Sequence, residues 1–194
     1  MRRLTYYIGC SLDGFIAGPD GETDSSGFDG DLKDAILNEY PETIPTHARG
    51  ALGLGDAPNK VFDAVLMGRV TYEPALRIGV TSPYAHLRQY VFSSTLPPTN
   101  PEVELVTGDP VEFVRGLKRQ PGAGIWLCGG AGLAGQLLGE IDELVVKRYP
   151  MVYGSGIPLF RAPFDPAPAD WQLRESRVFL TGTTLTSYVR HREH

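Results

Sequence analysis

The feature that most constrains this chain is the run from Ile125 to Leu133, IWLCGGAGL. Its first four residues have the length and apolar character of a buried strand, and LAGQLLGEI after the glycine pair has helical spacing. Glycine lets backbone N–H groups approach an anion closely, and the start of a helix adds partial positive charge. The run therefore indicates a nucleotide-phosphate site, although a tight strand–helix turn without a ligand explains the same glycines.

Composition indicates a globular domain. A chain of 194 residues can bury a full core as one domain, residues 1–194, without disulfides or metal. The net charge is −5 and the basic residues form no dense cluster, which disfavours nucleic acid as a partner. No run approaches the ~18 apolar residues of a membrane span, so we expect no membrane partner. The N-terminal run LTYYIGCSL is interpreted as the first strand rather than as an export signal.

The two cysteines, Cys10 and Cys128, lie far apart in the sequence and form no CxxC motif. No set of histidines and cysteines has zinc spacing, so we expect no metal. Both cysteines end apolar, strand-like runs, which predicts buried, reduced thiols and a cytoplasmic location.

The order of the segments predicts an α/β fold with a mostly parallel central sheet. Strand–helix units alternate through about residue 141. Two runs with period-2 alternation follow, residues 171–179 and 184–190, and they predict an antiparallel hairpin at the C-terminal edge. One helix start is clear, because Asp109 is a good N-cap, Pro110 suits the first helical position and Glu112 completes a capping-box variant.

Four short segments, SLDG, MGR, SS and CGG, each follow a predicted strand. Parallel sheets bind ligands at the carboxyl ends of their strands, so the four segments together favour a nucleotide site over a plain turn. The stretch from residue 41 to 60 is a loop with one short helix. It either forms a wall of a substrate pocket or is a surface excursion.

The segments SLDGFIAGPDG, LMGRVTYE, FSST and WLCGGAGLAGQLL, in this order, resemble the dihydrofolate reductase fold. The closer similarity is to the reductase (C-terminal) domain of the bacterial bifunctional riboflavin biosynthesis protein RibD and its stand-alone relatives. The resemblance covers nearly the whole chain and is weakest over residues 41–60 and 161–170. It implies a three-layer fold with flanking helices, NADPH as cofactor and a homodimer formed through the C-terminal strands.

The resemblance also implies which residues bind NADPH. The residues expected at the pyrophosphate and 2′-phosphate are Gly68, Arg69, Val70 and Thr71, those at the adenosine ribose and its phosphate are Ser93 and Ser94, and those at the central glycines are Cys128, Gly129, Gly130, Ala131, Gly132, Leu133 and Ala134. The residues expected around the nicotinamide are Gly9, Cys10, Ile16 and Ala17. The paired glycines are expected to be joined by a cis peptide, which is rare outside proline.

Two carboxylates are the catalytic candidates. The resemblance places Asp13 beside the active site, and Asp31 lies where a folate-reducing site needs a carboxylate on the first helix to hold the pterin ring. Each also has a structural explanation, Asp13 as a turn former and Asp31 as an acid at a helix start. Strand alternation sends Lys147 and Tyr149 to one face of the sheet and Arg148 to the other, so either face could supply a cation to a phosphoribosyl substrate.

The resemblance therefore implies an NADPH-dependent oxidoreductase that transfers a hydride to a small heterocycle. The acceptor is either pterin- or dihydrofolate-like or resembles the 5-amino-6-ribosylamino-uracil of the riboflavin route. The sequence carries no HxE and PCxxC zinc signature of a deaminase. Its only tryptophans are Trp126 and Trp171, so the tryptophan expected near the first helix for folate reduction is missing. A non-catalytic dinucleotide-binding module and a flavin-binding variant are the alternatives.

Overall fold

The computed structural model describes residues 1–23, 28–162 and 170–191. Its strands are β1 (Leu4–Cys10), β2 (Phe15–Ala17), β3 (Phe62–Gly68), β4 (Arg88–Phe92), β5 (Val103–Val106), β6 (Gly124–Gly129), β7 (Glu143–Arg148), β8 (Ile157–Pro158), β9 (Trp171–Val178) and β10 (Thr184–Arg190). Eight of them form the central sheet in the order β5-β4-β3-β6-β1-β7-β10-β9, and β2 pairs with β8 separately.

The helices connect the parallel strands and cover both faces of the sheet. They are α1 (Gly30–Glu39), α2 (Thr46–Arg49), α3 (Arg69–Arg77), α4 (Pro110–Lys118) and α5 (Ala131–Gln136), with 3-10 turns at Pro41–Thr43, Gly50–Leu52 and Leu138–Glu140. The predicted start of α4 is confirmed, because the Asp109 side chain accepts the backbone N–H of Glu112 at 2.9 Å. None of the helices in the described ranges is long and apolar enough to cross a membrane.

The sheet has the predicted topology. From β5 to β7 all neighbours are parallel, and β10 runs antiparallel to both β7 and β9. The strand β1 lies between β6 and β7, with Thr5 opposite Trp126 on one side and Glu143 on the other. The carboxyl ends of β1, β3, β4 and β6, where the four glycine and polar segments begin, therefore lie at one edge of the sheet.

Two apolar clusters, one on each face, hold the three layers together. Because side chains alternate along a strand, Leu4 and Tyr6 pack on the face covered by α4 and α5. Tyr7 and Phe62 pack on the opposite face, which Leu32 of α1 covers. The fold class predicted from the segment order is confirmed.

Candidate active site

The glycines at the ends of β3 and β6 lie against each other at the carboxyl edge of the sheet. A Cβ atom added to Gly68 would lie 3.5 Å from the backbone N of Gly130 and 3.7 Å from the carbonyl O of Gly129. The MGR and CGG segments, distant in sequence, therefore form one surface. We call it the glycine rim, and it consists of Gly68, Thr71, Gly129 and Gly130.

The peptide between Gly129 and Gly130 is cis, which confirms the expectation from the resemblance. The φ angle of Gly129 is 135°, a value that residues with a side chain rarely adopt. A Cβ atom added to Gly130 would lie 3.2 Å from the Thr71 hydroxyl oxygen, which therefore sits directly against the glycine pair. The rim consequently presents bare backbone and one hydroxyl.

The two helices that leave the rim have no side-chain caps. α3 begins after Gly68 and α5 after Gly130, and neither N-cap residue has a side chain that could bond the first-turn N–H groups. α1 and α4 are instead capped by the carboxylates of Asp29 and Asp109. Uncapped N–H groups at helix starts are donors for an anion, so the rim fits a pyrophosphate.

The other predicted cofactor residues on α3 and after β4 make local contacts with their own segments. Arg69 is half-exposed, and its Nη1 lies 3.3 Å from Oε1 of Glu73, one turn along α3. The Ser93 hydroxyl accepts the backbone N–H of Leu96 at 2.9 Å and shapes the turn after β4. Val70 and Ser94 are exposed. Binding of NADPH by these residues remains a prediction.

A cleft of about 790 Å³ opens beside the rim on the α1 face of the sheet. Cys128 joins the two, because it lines the cleft and directly precedes Gly129. Gly9, Cys10 and Ile16, all expected around the nicotinamide, also line the cleft. Ala17 is buried and lies outside this lining. Both cysteines are free thiols; Cys10 is buried as predicted, whereas Cys128 is only partly buried.

One wall of the cleft comes from residues 41–60, which the sequence left open as wall or surface excursion. The residues of this stretch that line the cleft are Thr43, Ile44, Pro45, Ala48, Ala51 and Leu52. The fully buried carboxylate of Glu42 fastens the stretch to the sheet by accepting backbone N–H groups at the start of β3. The pocket-wall interpretation is therefore confirmed.

The floor of the cleft is aromatic. The Trp126 ring lies edge-on to Tyr7, with 6.2 Å between ring centroids, and edge-on to Tyr84, with 4.9 Å between centroids. The indole Nε1 donates to the carbonyl O of Tyr7 at 3.1 Å, which holds the tryptophan in place. Both tyrosine rings stand nearly perpendicular to the indole, and the three together form an apolar, aromatic surface suited to a ring-shaped ligand.

One cation, Lys147, belongs to this floor. Its Nζ lies 4.2 Å from the centroid of the Tyr7 ring. Burial lowers the pKa of Lys147 to about 8, and burial raises the pKa of the neighbouring Cys128 thiol to about 12. The predicted alternation is confirmed, because Lys147 and Tyr149 line the cleft while Arg148 is exposed on the other face.

Asp13 is engaged in holding two loops together. Its carboxylate accepts the hydroxyl of Ser11 at 2.5 Å and the backbone N–H groups of Tyr153 at 3.2 Å and Gly154 at 2.7 Å. The Ser11 hydroxyl, followed by these amides, lowers the pKa of Asp13. Asp13 is exposed and lies outside the cleft lining. An ionised carboxylate with these bonds is a poor proton donor, and its partners are the Ser11 turn and the loop at Tyr153 and Gly154. A catalytic role of Asp13 stays a prediction.

Asp31 requires a correction, because the structure does not bring it to the cleft. Its two carboxylate oxygens accept the backbone N–H of Leu180, in the β9–β10 turn, at 3.2 and 3.0 Å. The residue of α1 that lines the cleft is Ile36. A carboxylate at the first turn of α1 therefore ties the helix to the terminal hairpin and lies outside the cleft lining.

Several cleft residues were missed by sequence reasoning. Tyr7 and Trp126 lie in the middle of buried strands, where an aromatic side chain reads as core. Thr43 and Tyr84 lie in segments without periodicity, so no pattern assigns them a direction. Within the described chain no group of three or more His, Cys, Asp or Glu side chains is placed to hold a metal ion.

The strand order defines a domain of the dihydrofolate reductase fold, with the glycine rim and the cleft at the carboxyl edge of its sheet. The chain belongs to the RibD C-terminal domain family, whose model matches residues 2–185. It is 34% identical over 162 residues to the uncharacterized protein YwjB of Bacillus subtilis (strain 168), a match covering 82% of this chain and 83% of that protein. It is 29% identical over 172 residues to the uncharacterized protein YyaP of the same organism, covering 82% and 80%.

Solved structures show the same architecture. A putative riboflavin biosynthesis protein from Shewanella sp. PV-4 matches with a TM-score of 0.69 and 27% identity, over 99% of this chain and 100% of that one. A deaminase/5-amino-6-(5-phosphoribosylamino)uracil reductase from Thermotoga maritima gives a TM-score of 0.66 at 17% identity, covering 98% and 57%. Dihydrofolate reductase from Enterococcus faecalis, complexed with NADP(H), gives 0.63 at 13%, covering 98% and 97%.

Proposed function

We propose that this protein is an NADPH-dependent reductase that transfers a hydride to a small heterocycle of the riboflavin-route type. The observation that carries the proposal is the junction at Cys128, where the uncapped glycine rim and the apolar cleft adjoin. A dinucleotide with its pyrophosphate on the rim can extend its nicotinamide past Cys128 into the cleft. Membership of the RibD C-terminal domain family and the similarity to the Shewanella protein support the riboflavin route.

The cleft favours an aminopyrimidine acceptor over a pterin of the folate type. A protonated pterin needs a carboxylate beside its ring, and Ile36 is the residue that α1 contributes to the lining. The aromatic floor and the cation at Lys147 suit a flat ring that carries carbonyl groups.

When bound, NADPH would supply the hydride from its nicotinamide ring. The chain's own residues bind and orient the reactants. The first-turn N–H groups of α3 and α5, with the Thr71 hydroxyl, would bind the pyrophosphate. Gly9, Cys10 and Ile16 would enclose the nicotinamide and keep water from it.

The experiment that tests the proposal has two readouts. The quench of protein fluorescence on adding NADPH measures binding, and absorbance at the reduced-nicotinamide band measures oxidation with dihydrofolate, dihydropterin and ribosylaminopyrimidine acceptors. Oxidation with an aminopyrimidine is expected. NADPH binding without oxidation by any acceptor would favour a non-catalytic module, a yellow purified protein would favour the flavin variant, and absence of NADPH binding would reject the proposal.

A matched pair of variants locates the binding site. Thr71→Val removes the hydroxyl at the rim and keeps the shape of the side chain, and it should weaken NADPH binding about fivefold to tenfold. Thr186→Val makes the same change on β10, away from the rim, and should leave binding unaltered.

We also infer that two copies associate through the outer edge of β9. This strand ends the sheet and pairs with β10 on one side only. Leu173 and Val178 on it are exposed, although both are large and apolar. An uncovered edge strand needs a partner or protection. Light scattering at micromolar concentration should give a dimer, and Leu173→Lys should shift it to monomer.

The free thiols support a reducing, cytoplasmic location.

A further inference from the structure

The side chain of Lys147 is the feature of the cleft that the chain itself does not explain. β7 lies inside the sheet, where Lys147 pairs with Gly9 of β1 and with Leu185 of β10. Its neighbours on the same face of β7 are Val145, which is buried in the apolar cluster, and Tyr149. Lys147 itself is partly buried there, and this is costly because burial removes water from the charged amine.

Within the described chain Lys147 makes no ion pair and no hydrogen bond; its contact is the face of the Tyr7 ring. Five other lysine and arginine side chains of the interior or the sheet face, by contrast, have carboxylates or carbonyls as partners, namely Arg2, Arg49, Lys118, Arg177 and Arg190. Three N–H donors of a lysine in an apolar cleft are suited to an acceptor on a ligand.

The charge of the residues that line the cleft determines which charge of ligand it can bind. Of the described residues that line it, Lys147 is the cation and none is a carboxylate. A cationic ring would meet a like charge without a counter-ion, whereas a carbonyl, enolate or carboxylate oxygen would gain a charge-assisted hydrogen bond. The aromatic floor formed by Tyr7, Trp126 and Tyr84 suits an acceptor group that is carried on a heterocyclic ring.

We propose that Lys147 is a catalytic residue that binds an oxygen or nitrogen of a heterocyclic acceptor, neutral or anionic, and donates the proton that completes its reduction. The inference rests on the proposed reductase function and deepens it. With bound NADPH supplying the hydride, the acceptor carbon would gain a C–H bond and the C=N or C=O π pair would move to the heteroatom. The N–H bond of Lys147 would break to protonate that heteroatom. The neutral amine then recovers a proton from water at the mouth of the cleft.

Four titratable side chains face Lys147, and Lys147 is the only member of this group with a pKa near neutral. They are Tyr7 on β1, Cys128 on β6, Tyr149 directly after β7 and Tyr84 in the loop before β4. Burial raises the pKa of all four, and the lowered pKa of Lys147 is about 8. The amine is therefore charged below about pH 8 and neutral above it.

The binding test uses three pyrimidine probes of different charge: uracil (neutral), orotate (anionic) and trimethoprim (a cationic diaminopyrimidine). Trp126 on the floor reports binding by fluorescence. At pH 6.5 the wild type should bind orotate more tightly than trimethoprim, and Lys147→Met should weaken orotate binding about tenfold or more. Lys33→Met, which changes a lysine on α1 outside the cleft lining, is the matched control.

The wild type alone gives a second test that does not depend on a variant folding. Its affinity for orotate should stay level up to about pH 8 and then fall by up to tenfold per pH unit. Orotate affinity that is flat to pH 9.5, unchanged in Lys147→Met, or weaker than trimethoprim affinity would overturn the inference. Such a result, with NADPH still bound, would leave the reductase proposal standing.

Measurements of kcat distinguish proton donation by Lys147 from a purely electrostatic role of its charge. Lys147→Arg keeps a cation but cannot release a proton at these pH values, so it should retain orotate binding and lose kcat by about 10²-fold. The alkaline limb of the wild-type pH–rate profile should vanish in both variants. A Lys147→Arg enzyme with wild-type kcat and the same alkaline limb would refute donation by Lys147.

Discussion

The carboxylate of Glu42 accepts the backbone N–H of Phe62 at 2.7 Å, although both residues are fully buried and 20 positions apart. The same carboxylate accepts the N–H groups of Val61 at 2.7 Å and Lys60 at 3.2 Å. One buried side chain therefore anchors the wall segment to the first residues of β3. Thr43, next to Glu42, lines the cleft, so the anchor also positions the wall.

Replacing Glu42 with Ala should destabilise the protein and open the cleft. Three backbone donors, of which that of Phe62 is buried and the other two are partly buried, would lose their acceptor, which should lower the free energy of unfolding by about 3 kcal/mol. Urea unfolding measures the change. Glu104→Ala, at an exposed position on β5, should change it by less than about 0.5 kcal/mol. Equal effects of the two substitutions would contradict the anchor role of Glu42.

Gly129→Ala should impair both folding and NADPH binding. The φ angle of 135° is open to glycine and strained for alanine, so the variant should lose about 1–3 kcal/mol of stability. NADPH titration should show weaker binding because the rim must shift. Gly139→Ala is the control, since an added Cβ there meets nothing within 4 Å. Unchanged NADPH affinity in a folded Gly129→Ala variant would argue against the rim as the pyrophosphate site.

Asp31→Ala should affect stability and leave catalysis alone. The carboxylate bonds the N–H of Leu180 in the terminal hairpin, and removing this bond should cost about 1 kcal/mol. The rate per folded molecule should stay within about twofold of wild type, because Asp31 lies outside the cleft lining. Asp34→Ala, an exposed position on the same helix, serves as the comparison. A large drop in kcat with intact stability would restore Asp31 as a catalytic residue.

Asp13→Asn should loosen the loop at Tyr153 and Gly154. The pKa of Asp13 in the folded protein lies below its ordinary value of 3.8. The ionised carboxylate therefore stabilises the loop fully above pH 3.8, and this stabilisation is lost as the pH falls through the folded-state pKa. Hydrogen exchange of the two amides measures the effect. Exchange in the variant should be faster than in wild type, and the ratio should be constant from pH 5 to 7. Asp20→Asn, in an exposed turn, should show no such increase.

The local sequence determined most of the fold. Hydrophobic runs, the cap at Asp109 and the period-2 hairpin depend on neighbours a few residues away, so the elements and their parallel order could be predicted. The close backbone approach at Gly129 and Gly130 could also be predicted, because a backbone that packs against another chain segment leaves no room for side chains. The alternation of β7 correctly sent Lys147 to one face and Arg148 to the other.

Tertiary structure alone decided which of these residues share a site. Asp31 read as a substrate carboxylate but reaches Leu180, some 149 positions away, because the hairpin folds back over α1. Thr43 and Tyr84 lie in aperiodic segments, and only the Glu42 anchor and the packing against Trp126 bring them to the cleft. The environment of Lys147 likewise comes from β1, β6 and a distant loop. Desolvation and long-range hydrogen bonding depend on the assembled surroundings, which no local pattern encodes.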